Sequence, residues 1–304
     1  MAGRVTTRTF LDMKARGQRI TMLTAYDYPT ARLCDLAGVD SLLIGDSLGM
    51  VVQGQETTLG VTLEHAVYHT RMVARAAEHA LVIADMPFLT FQVSTDAAIA
   101  NAGRLLAEGG AQAVKLEGGR DMQETVRRLC RVGIPVLGHI GLTPQSVHAL
   151  GGWRVQGKTA DAARGLLDDA LALEDAGAFG VVLELVPVEV AAAISRRLRI
   201  PTIGIGSGPG CDGQVLVLHD LVGLSEGSGP RHARRYAEVG TAIREAAAAY
   251  CRDVRQGDYP AAEHATSLGA NAEAVVAALG EETPAQDPHA ESGDPEHKLY
   301  GGKP

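Results

Sequence analysis

The chain has 304 residues, 46% of them hydrophobic, so it is long enough and apolar enough to bury a large core. Its formal net charge of −8 argues against the basic surfaces of nucleic-acid-binding proteins. No apolar run reaches membrane-spanning length, the N-terminus MAGRVTTRTF lacks the apolar region of a secretion signal, and the four cysteines form no CxxC pair. These features are typical of a cytoplasmic enzyme with reduced thiols.

Strands and helices are predicted to alternate along the chain, with helices between most of the strands. The predicted helices include 7–16, 27–38, 62–79 and 161–176. Asp27 and Pro29 mark the start of the second of these and Gly38 its end, while Gly177 closes the last. A loop is predicted over 46–60. The predicted strands are Ile20–Ala25, Asp40–Ile44, Leu81–Asp85, Ala113–Glu117, Pro135–His139, Gly180–Glu184, Pro201–Ile205 and Gln214–His219.

The predicted strands are continuously apolar, as strands covered on both faces should be. Eight strand–helix units in about 250 residues favour a (β/α)8 barrel of the TIM type, with a short helix before the first strand. A doubly wound open sheet is the alternative fold. We expect one catalytic domain over 1–268 and a mostly disordered tail over 269–304, with a helical turn at 272–279, because the tail is rich in Ala, Glu, Gly and Pro.

Five of the apolar runs end in residues that can hold a metal ion or move a proton. These residues are Asp46 with Ser47, Asp85, Lys115 with Glu117, His139, and Glu184. The C-terminal ends of parallel strands all face one side of a barrel, so these side chains should converge although they are far apart in sequence. A buried carboxylate is costly unless a cation or a substrate satisfies it. The pattern therefore predicts one assembled site.

The three carboxylates of Asp46, Asp85 and Glu117 form an oxygen-only ligand set, which suits Mg2+. Alternatively, these acids cap the helices that follow them or pair with Lys115. Lys115 lies two residues before Glu117 and therefore on the same face of the strand. There its ammonium could bind a substrate carboxylate or stabilise an oxyanion, and the alternative is a simple ion pair.

Glu184 is the best candidate for a general base. Its neighbours in the sequence are apolar, and an apolar environment should raise its pKa towards neutrality, where a base works efficiently. His139 is a weaker candidate, since a single histidine at a strand end is more often a hydrogen-bonded packing residue. The glycine-rich segment 204–213 lacks the features of a nucleotide-binding loop. The long loop 141–159 is predicted to be a lid or a subunit contact.

Several segments together form a specific pattern: ITMLTAYDYPTARL, LLIGDSLGMVVQG, TLEHAVYHTRMVARA, VIADMPF, AVKLEGG, IPVLGHIGLTPQSVHALGGWRVQGKT and GIGSGPGCDGQVLVLHD. In this order they resemble the ketopantoate hydroxymethyltransferase family over about residues 3 to 265, with IGDSLGM and GHIGLTPQS as the most specific runs. The chain departs from the usual family pattern at Arg231 and His232, where an aromatic residue is common, and in a richer glycine loop.

The resemblance implies a Mg2+-dependent barrel of the phosphoenolpyruvate mutase and isocitrate lyase superfamily, assembled as a homodecamer. It implies one Mg2+ per subunit at Asp46, Asp85 and Glu117, and a keto-acid site formed by Asp46, Ser47, Asp85 and Lys115. Glu184 would be the proton acceptor. The reaction would transfer a hydroxymethyl group from 5,10-methylenetetrahydrofolate to 3-methyl-2-oxobutanoate through a Mg2+-stabilised enolate.

Two other functions are the alternatives to this one. A related Mg2+-enolate C–C lyase or mutase would normally carry a cysteine in the active-site loop, but 140–160 contains none. A non-catalytic barrel that serves as a scaffold should have lost some of the acids, yet all of them are present. Both features favour the hydroxymethyltransferase.

Overall fold

Eight parallel strands, each paired with the next one along the chain, form a closed barrel. The computed structural model describes residues 3–225, 227 and 229–280. The strands are β1 (Ile20–Thr24), β2 (Ser41–Ile44), β3 (Leu81–Asp85), β4 (Ala113–Glu117), β5 (Val136–Gly141), β6 (Gly180–Glu184), β7 (Thr202–Ile205) and β8 (Gly213–Leu216). β8 pairs with β1 and closes the ring. The predicted barrel is confirmed, and the doubly wound open sheet is excluded.

Helices follow most of the strands. In the described residues they are α1 (Thr7–Ala15), α2 (Tyr28–Leu36), α3 (Leu48–Val51), α4 (Leu63–Ala76), α5 (Thr95–Ala107), α6 (Gln123–Arg131), α7 (Ala160–Ala176), α8 (Val188–Arg197), α9 (Leu218–Leu221), α10 (Val239–Gln256) and α11 (Ala272–Ala277). Short 3-10 turns lie at Arg120–Met122, Pro144–Ser146, Ala262–His264 and Gly269–Asn271. The helix predicted before the first strand is α1.

Residues at the helix ends explain where the long helices begin and stop. The Asp27 carboxylate accepts a hydrogen bond from the backbone N–H of Thr30 at 2.9 Å and so caps α2. The Thr159 hydroxyl accepts one from the N–H of Ala162 at 3.2 Å and caps α7. Gly177 ends α7 with φ at 100°, a left-handed conformation that favours glycine. The start of α2 at Asp27 and the end of α7 at Gly177 are where the sequence predicted them, and α7 begins one residue before its predicted start, at Ala160.

Several predicted boundaries were wrong. The helix predicted over 62–79 ends at Ala76, and the strand predicted to end at His139 continues to Gly141. The eighth strand ends at Leu216 instead of continuing to His219, and Leu218–Leu221 is a short helix. The backbone N–H of Leu218 donates to the Thr24 hydroxyl at 3.0 Å, which turns the chain out of the sheet. The predicted loop over 46–60 contains the one-turn helix α3.

The lower end of the barrel is closed by α1. Phe10 of α1 is fully buried and packs edge-on against Phe179, with the ring centroids 5.9 Å apart. Both residues belong to an apolar cluster with residues from the strands, such as Ile20 and Leu81. This is the N-terminal end of the parallel strands, and hydrophobic side chains fill it. The polar residues at the C-terminal ends of the strands therefore lie at the opposite mouth of the barrel.

By their internal contacts, the described residues form two compact units, divided between residues 243 and 244. The first contains the whole barrel and every predicted site residue. In the described part of the second, Tyr259 packs against Tyr250 and His264, and α11 occupies the position of the helical turn predicted at 272–279. The rest of the predicted tail, 281–304, lies outside the described residues. The predicted division of the chain at 268 and 269 stays a prediction.

Two other sequence expectations concern the cysteines and the membrane. All four cysteines are free thiols, as predicted. Across the described ranges, no helix has both the length and the apolar character needed to cross a bilayer.

Candidate active site

The predicted site residues converge at the C-terminal mouth of the barrel. In the strand register Asp85 lies opposite Lys115, and Glu117 lies opposite His139. Glu184 is the last residue of β6 and lies opposite Gly141. Five of the predicted site residues are no more than 6% exposed: Asp46, Asp85, Lys115, Glu117 and His139. The parallel topology therefore brings together groups that are far apart in the sequence.

Lys115 and Asp85 form a buried ion pair, with 2.5 Å between Nζ and Oδ2. The backbone N–H of Asp46 donates to the same Asp85 oxygen at 3.3 Å. Burial alone would lower the pKa of Lys115, but the negative charges of Asp85, Asp46 and Glu117 outweigh burial and hold that pKa above its ordinary value. The ammonium is therefore charged at neutral pH.

Three carboxyl groups, those of Asp46, Asp85 and Glu117, surround the single ammonium group of Lys115. Burial raises the pKa of Asp85 to about 7, although Lys115 opposes the shift. Burial, followed by the charge of Asp46, raises the pKa of Glu117 well above its ordinary value. One oxygen of each, Asp85 Oδ1 and Glu117 Oε1, is buried without a hydrogen-bond partner. Buried anionic oxygens of this kind favour the uptake of a cation or of protons.

This chemistry fits a hard divalent cation. Mg2+ binds oxygen donors, commonly through one or two carboxylates, and keeps several water ligands. The oxygens of Asp85 and Glu117 that have no hydrogen-bond partner are such donors, and Asp46 is the third acid at the mouth. In the part of the chain that the structure describes, no group of three or more His, Cys, Asp or Glu side chains is placed so that it could hold a metal ion. Mg2+ commonly takes only one or two protein carboxylates and completes its shell with water, so Asp85 and Glu117 are sufficient protein donors.

His139 lies between two carboxylates. Its Nε2 is 3.1 Å from Glu184 Oε2, and its Nδ1 is 3.7 Å from Glu117 Oε1. Neither nitrogen has the alignment of a hydrogen bond. Burial, followed by the charge of Lys115, lowers the pKa of His139 well below its ordinary value. The ring is therefore neutral at physiological pH, and it connects the acid cluster to Glu184.

Glu184 has the environment that its sequence neighbours predicted. Its side chain is 13% exposed, and burial raises its pKa to about 7, although Lys115 and His232 oppose the shift. The next residue, Leu185, has φ at 46°, a conformation that is costly for a large side chain. Its N–H donates to the carbonyl of Ile205 at 2.9 Å, which fixes the backbone just after Glu184.

Ser47 is hydrogen-bonded to a residue that the sequence analysis did not select. The Tyr26 hydroxyl lies 2.8 Å from Ser47 Oγ, just beyond the end of β1. Tyr26 is 2% exposed, and burial raises its pKa, so the phenol stays neutral. Its position in the sequence could have identified Tyr26 as a site residue, since Tyr26 follows the end of a strand as Ser47 does. Tyr26 is not among the predicted site residues, because a phenol is neither an acid nor a base near neutral pH.

Gln145 is the second residue that the sequence analysis missed. It lies in the 3-10 turn Pro144–Ser146 after β5 and is 5% exposed. Its side-chain Nε2 donates to Asp46 Oδ2 at 3.0 Å, and its backbone N–H donates to Glu117 Oε2, also at 3.0 Å. This turn begins the loop 141–159 that was predicted to be a lid or a subunit contact. Through Gln145, the beginning of this loop contacts two acids of the site.

Solved structures of low sequence identity share the barrel fold. Phosphoenolpyruvate phosphomutase from Streptomyces platensis aligns over 86% of this chain and 92% of its own, with a TM-score of 0.57 and 14% identity. The 2,3-dimethylmalate lyase, described as a member of the PEP mutase/isocitrate lyase superfamily, aligns over 83% and 88%, with a TM-score of 0.54 and 17% identity. At these identities the likeness concerns the fold alone.

Sequence relatives are much more similar. The 3-methyl-2-oxobutanoate hydroxymethyltransferase of Gluconacetobacter diazotrophicus is 60% identical over 82% of this chain and 89% of its own. The enzyme of that name from Chloroflexus aurantiacus is 53% identical over 93% of this chain and 100% of its own. The family model described as ketopantoate hydroxymethyltransferase matches residues 4–262. The match spans the barrel and every residue of the acid cluster, and the chain belongs to the ketopantoate hydroxymethyltransferase family.

Proposed function

We propose that the protein transfers a hydroxymethyl group from 5,10-methylenetetrahydrofolate to 3-methyl-2-oxobutanoate. The products are ketopantoate and tetrahydrofolate. The reaction is a step in pantothenate and coenzyme A biosynthesis. Family membership supports this reaction. The observation that supports this chemistry most strongly is the position of Glu184. Its pKa is about 7, and the His139 ring lies between it and the acid cluster that contains Lys115.

Glu184 removes the C3 proton of the keto acid. A base is most effective when its pKa is close to the working pH, and the Glu184 carboxylate meets this condition. His139 is a poorer acceptor, because its pKa lies well below the ordinary value. It contacts Glu184 and can orient the carboxylate.

Removal of the proton leaves an enolate, whose negative charge lies largely on the C2 oxygen. The Lys115 ammonium is held charged by the acids around it and stabilises that oxygen. Asp46, Asp85 and Glu117 would hold one Mg2+ per subunit, which when bound withdraws electrons from the keto group. The same mouth would hold the keto acid through Ser47, Lys115 and the neighbouring acids.

The enolate carbon then forms a bond to the one-carbon unit of the folate. That unit is already at the oxidation level of formaldehyde, so no redox agent is needed. One water adds to its carbon and supplies the hydroxyl oxygen, while the two bonds from that carbon to folate nitrogens break and the nitrogens take the two protons of the water. The new alkoxide takes the proton that Glu184 removed from C3. The closed lower end of the barrel leaves the C-terminal mouth as the side from which the folate would approach. We further propose that the protein acts in the cytoplasm as a homodecamer, which follows from the family resemblance.

The proposed reaction is tested by incubating the purified chain with keto acid, methylenetetrahydrofolate and Mg2+, with and without a chelator. We expect ketopantoate to form with Mg2+, to stop forming with EDTA, and to form again when Mg2+ is added in excess. Cleavage of a related 2-hydroxy acid without use of folate would instead favour a C–C lyase of the same superfamily. Absence of turnover with any of these substrates would favour the scaffold.

The pH dependence of proton abstraction should follow Glu184. The carboxylate accepts a proton only when ionised, so exchange of the C3 hydrogen with solvent should rise with pH and level off above about 7. The exchange is measured by NMR in D2O with keto acid and Mg2+ but no folate. A rate that stays flat or falls between about pH 5.5 and 8.5 contradicts a base with this pKa.

The C-terminal tail should be dispensable for the chemistry. Residues 269–304 contain few large apolar side chains, and the family match ends at residue 262. A chain ending at residue 268 should therefore keep kcat and KM within about twofold of the full chain, since the tail cannot bury enough apolar area to be a required part of the fold. Loss of catalysis with unchanged assembly would show that the tail contributes to the site.

A further inference from the structure

Gln145 makes an unusually complete set of contacts for a neutral side chain. Its Nε2 group donates to Asp46 Oδ2 and to the carbonyl oxygen of Met86, each at 3.0 Å. Its Oε1 accepts from Gln92 Nε2 at 3.1 Å. Its backbone N–H donates to Glu117 Oε2 at 3.0 Å. One residue therefore touches two of the three acids in the cluster.

The orientation of the Gln145 amide is fixed by its partners. Both Nε2 hydrogens point at acceptors, the Asp46 carboxylate and the Met86 carbonyl. A flipped amide would bring Oε1 against these two acceptors and would leave them without a donor. Gln92, which precedes α5, supports the correct orientation from the other side. The amide thus has one satisfied arrangement.

These contacts determine which carboxylate oxygens remain available. Gln145 binds Oδ2 of Asp46 and Oε2 of Glu117, and the other Glu117 oxygen, Oε1, is buried without a hydrogen-bond partner. A carboxylate held through one oxygen cannot rotate freely, so its second oxygen has a fixed direction. Residues that orient metal ligands in this way contribute strongly to metal affinity.

We propose that Gln145 is the positioning residue that orients Asp46 and Glu117 for the divalent cation. This inference rests on the proposed function, since it assumes that the acid cluster binds Mg2+. A purely structural role is the alternative, because Gln145 also ties the segment after β3, at Met86 and Gln92, to the turn after β5. The two roles differ in what a substitution changes: metal affinity in the first, only the stability of the metal-free fold in the second.

Replacement of the side chain affects the two acids differently. Gln145→Met has a similar length but cannot donate, so Asp46 loses its hydrogen bond. The backbone N–H to Glu117 remains in any variant. Gln145→Asn keeps a buried amide that suits the polar site but is too short by one methylene to hold Asp46. Loss of one such orienting contact typically weakens metal binding by about 10- to 100-fold.

The experiment is a titration of the full-length, metal-free protein with Mn2+, followed by electron paramagnetic resonance, with Mg2+ as competitor. The proteins are the wild type, Gln145→Met, Gln145→Asn and the matched control Gln112→Met. Gln112 also uses its side-chain amide in the barrel wall, where Oε1 accepts from the N–H of Val82 at 3.0 Å, but it precedes β4 at the opposite end. Thermal unfolding without metal is recorded for each protein.

We expect both Gln145 variants to bind Mn2+ about 10- to 100-fold more weakly than the wild type and Gln112→Met to bind it normally. If Gln145→Met does not fold, Gln145→Asn gives the same comparison. Normal Mn2+ affinity in a Gln145 variant, with or without lower thermal stability, overturns the positioning role and leaves the proposed function intact. Failure of the wild type itself to bind Mn2+ or Mg2+ overturns the metal site as well.

Discussion

Glu184→Gln should lose at least roughly 10²-fold of the rate at which the C3 hydrogen of 3-methyl-2-oxobutanoate exchanges with solvent. Glutamine has the same shape but cannot accept a proton, so the variant should still bind the keto acid. Leaving out the folate isolates proton abstraction from carbon–carbon bond formation. The rate is read by NMR as loss of the C3-hydrogen signal in D2O.

His139→Asn is the matched comparison for this prediction. His139 contacts Glu184 through Nε2 at 3.1 Å, so its loss should disturb the base without removing it. We therefore expect the exchange rate of His139→Asn to lie between those of the wild type and Glu184→Gln. If Glu184→Gln exchanges normally while His139→Asn does not, His139 is the base and Glu184 has the supporting role.

Asp85→Ala should abolish Mg2+-dependent turnover and leave the chain folded. The substitution removes a carboxylate with an orphaned oxygen and the ion-pair partner of Lys115. Asp46 and Glu117 remain near the ammonium, so its charge is still partly compensated. The backbone pairing of β3 with β4 does not depend on the side chain. Turnover is measured across a Mg2+ series, and folding by circular dichroism.

Asp212→Ala provides the control for loss of an ion pair as such. Asp212 pairs with Lys14 at 2.7 Å and accepts from the backbone N–H of Thr202, just before β8 at the lower end of the barrel. This variant should be less stable but should keep the wild-type dependence on Mg2+. Unfolding of Asp85→Ala under conditions where Asp212→Ala stays folded would mean that Asp85 is a structural acid.

The barrel and the charged part of its mouth could be predicted because both depend on simple regularities. Continuous apolar runs identify strands buried on both faces, and parallel strands place their ends on one side. Asp85, Glu117 and Glu184 are final residues of their strands in the structure, as the sequence predicted. The raised pKa of Glu184 was also predicted from its apolar sequence neighbours, and burial is its cause.

The hydrogen bonds that organise the mouth were not predictable in the same way. Gln145 and Tyr26 are neutral residues in loops, and their partners, Asp46 and Ser47, are supplied by a different strand–helix unit. Such contacts depend on how separate loops meet in space, which no local pattern encodes. The end of β8 was missed for a similar reason, because the Thr24 hydroxyl that turns the chain lies on the first strand.

The most direct test of the proposed function follows the transferred carbon itself. 5,10-Methylenetetrahydrofolate carrying 13C at the methylene carbon is incubated with 3-methyl-2-oxobutanoate, Mg2+ and the full-length protein, and the products are analysed by NMR. We predict that the 13C label appears as a hydroxymethyl carbon attached to C3 of ketopantoate, in an amount equal to the tetrahydrofolate formed, and that EDTA prevents its appearance. Failure of the folded, Mg2+-supplied protein to move the label onto the keto acid would contradict the proposed function.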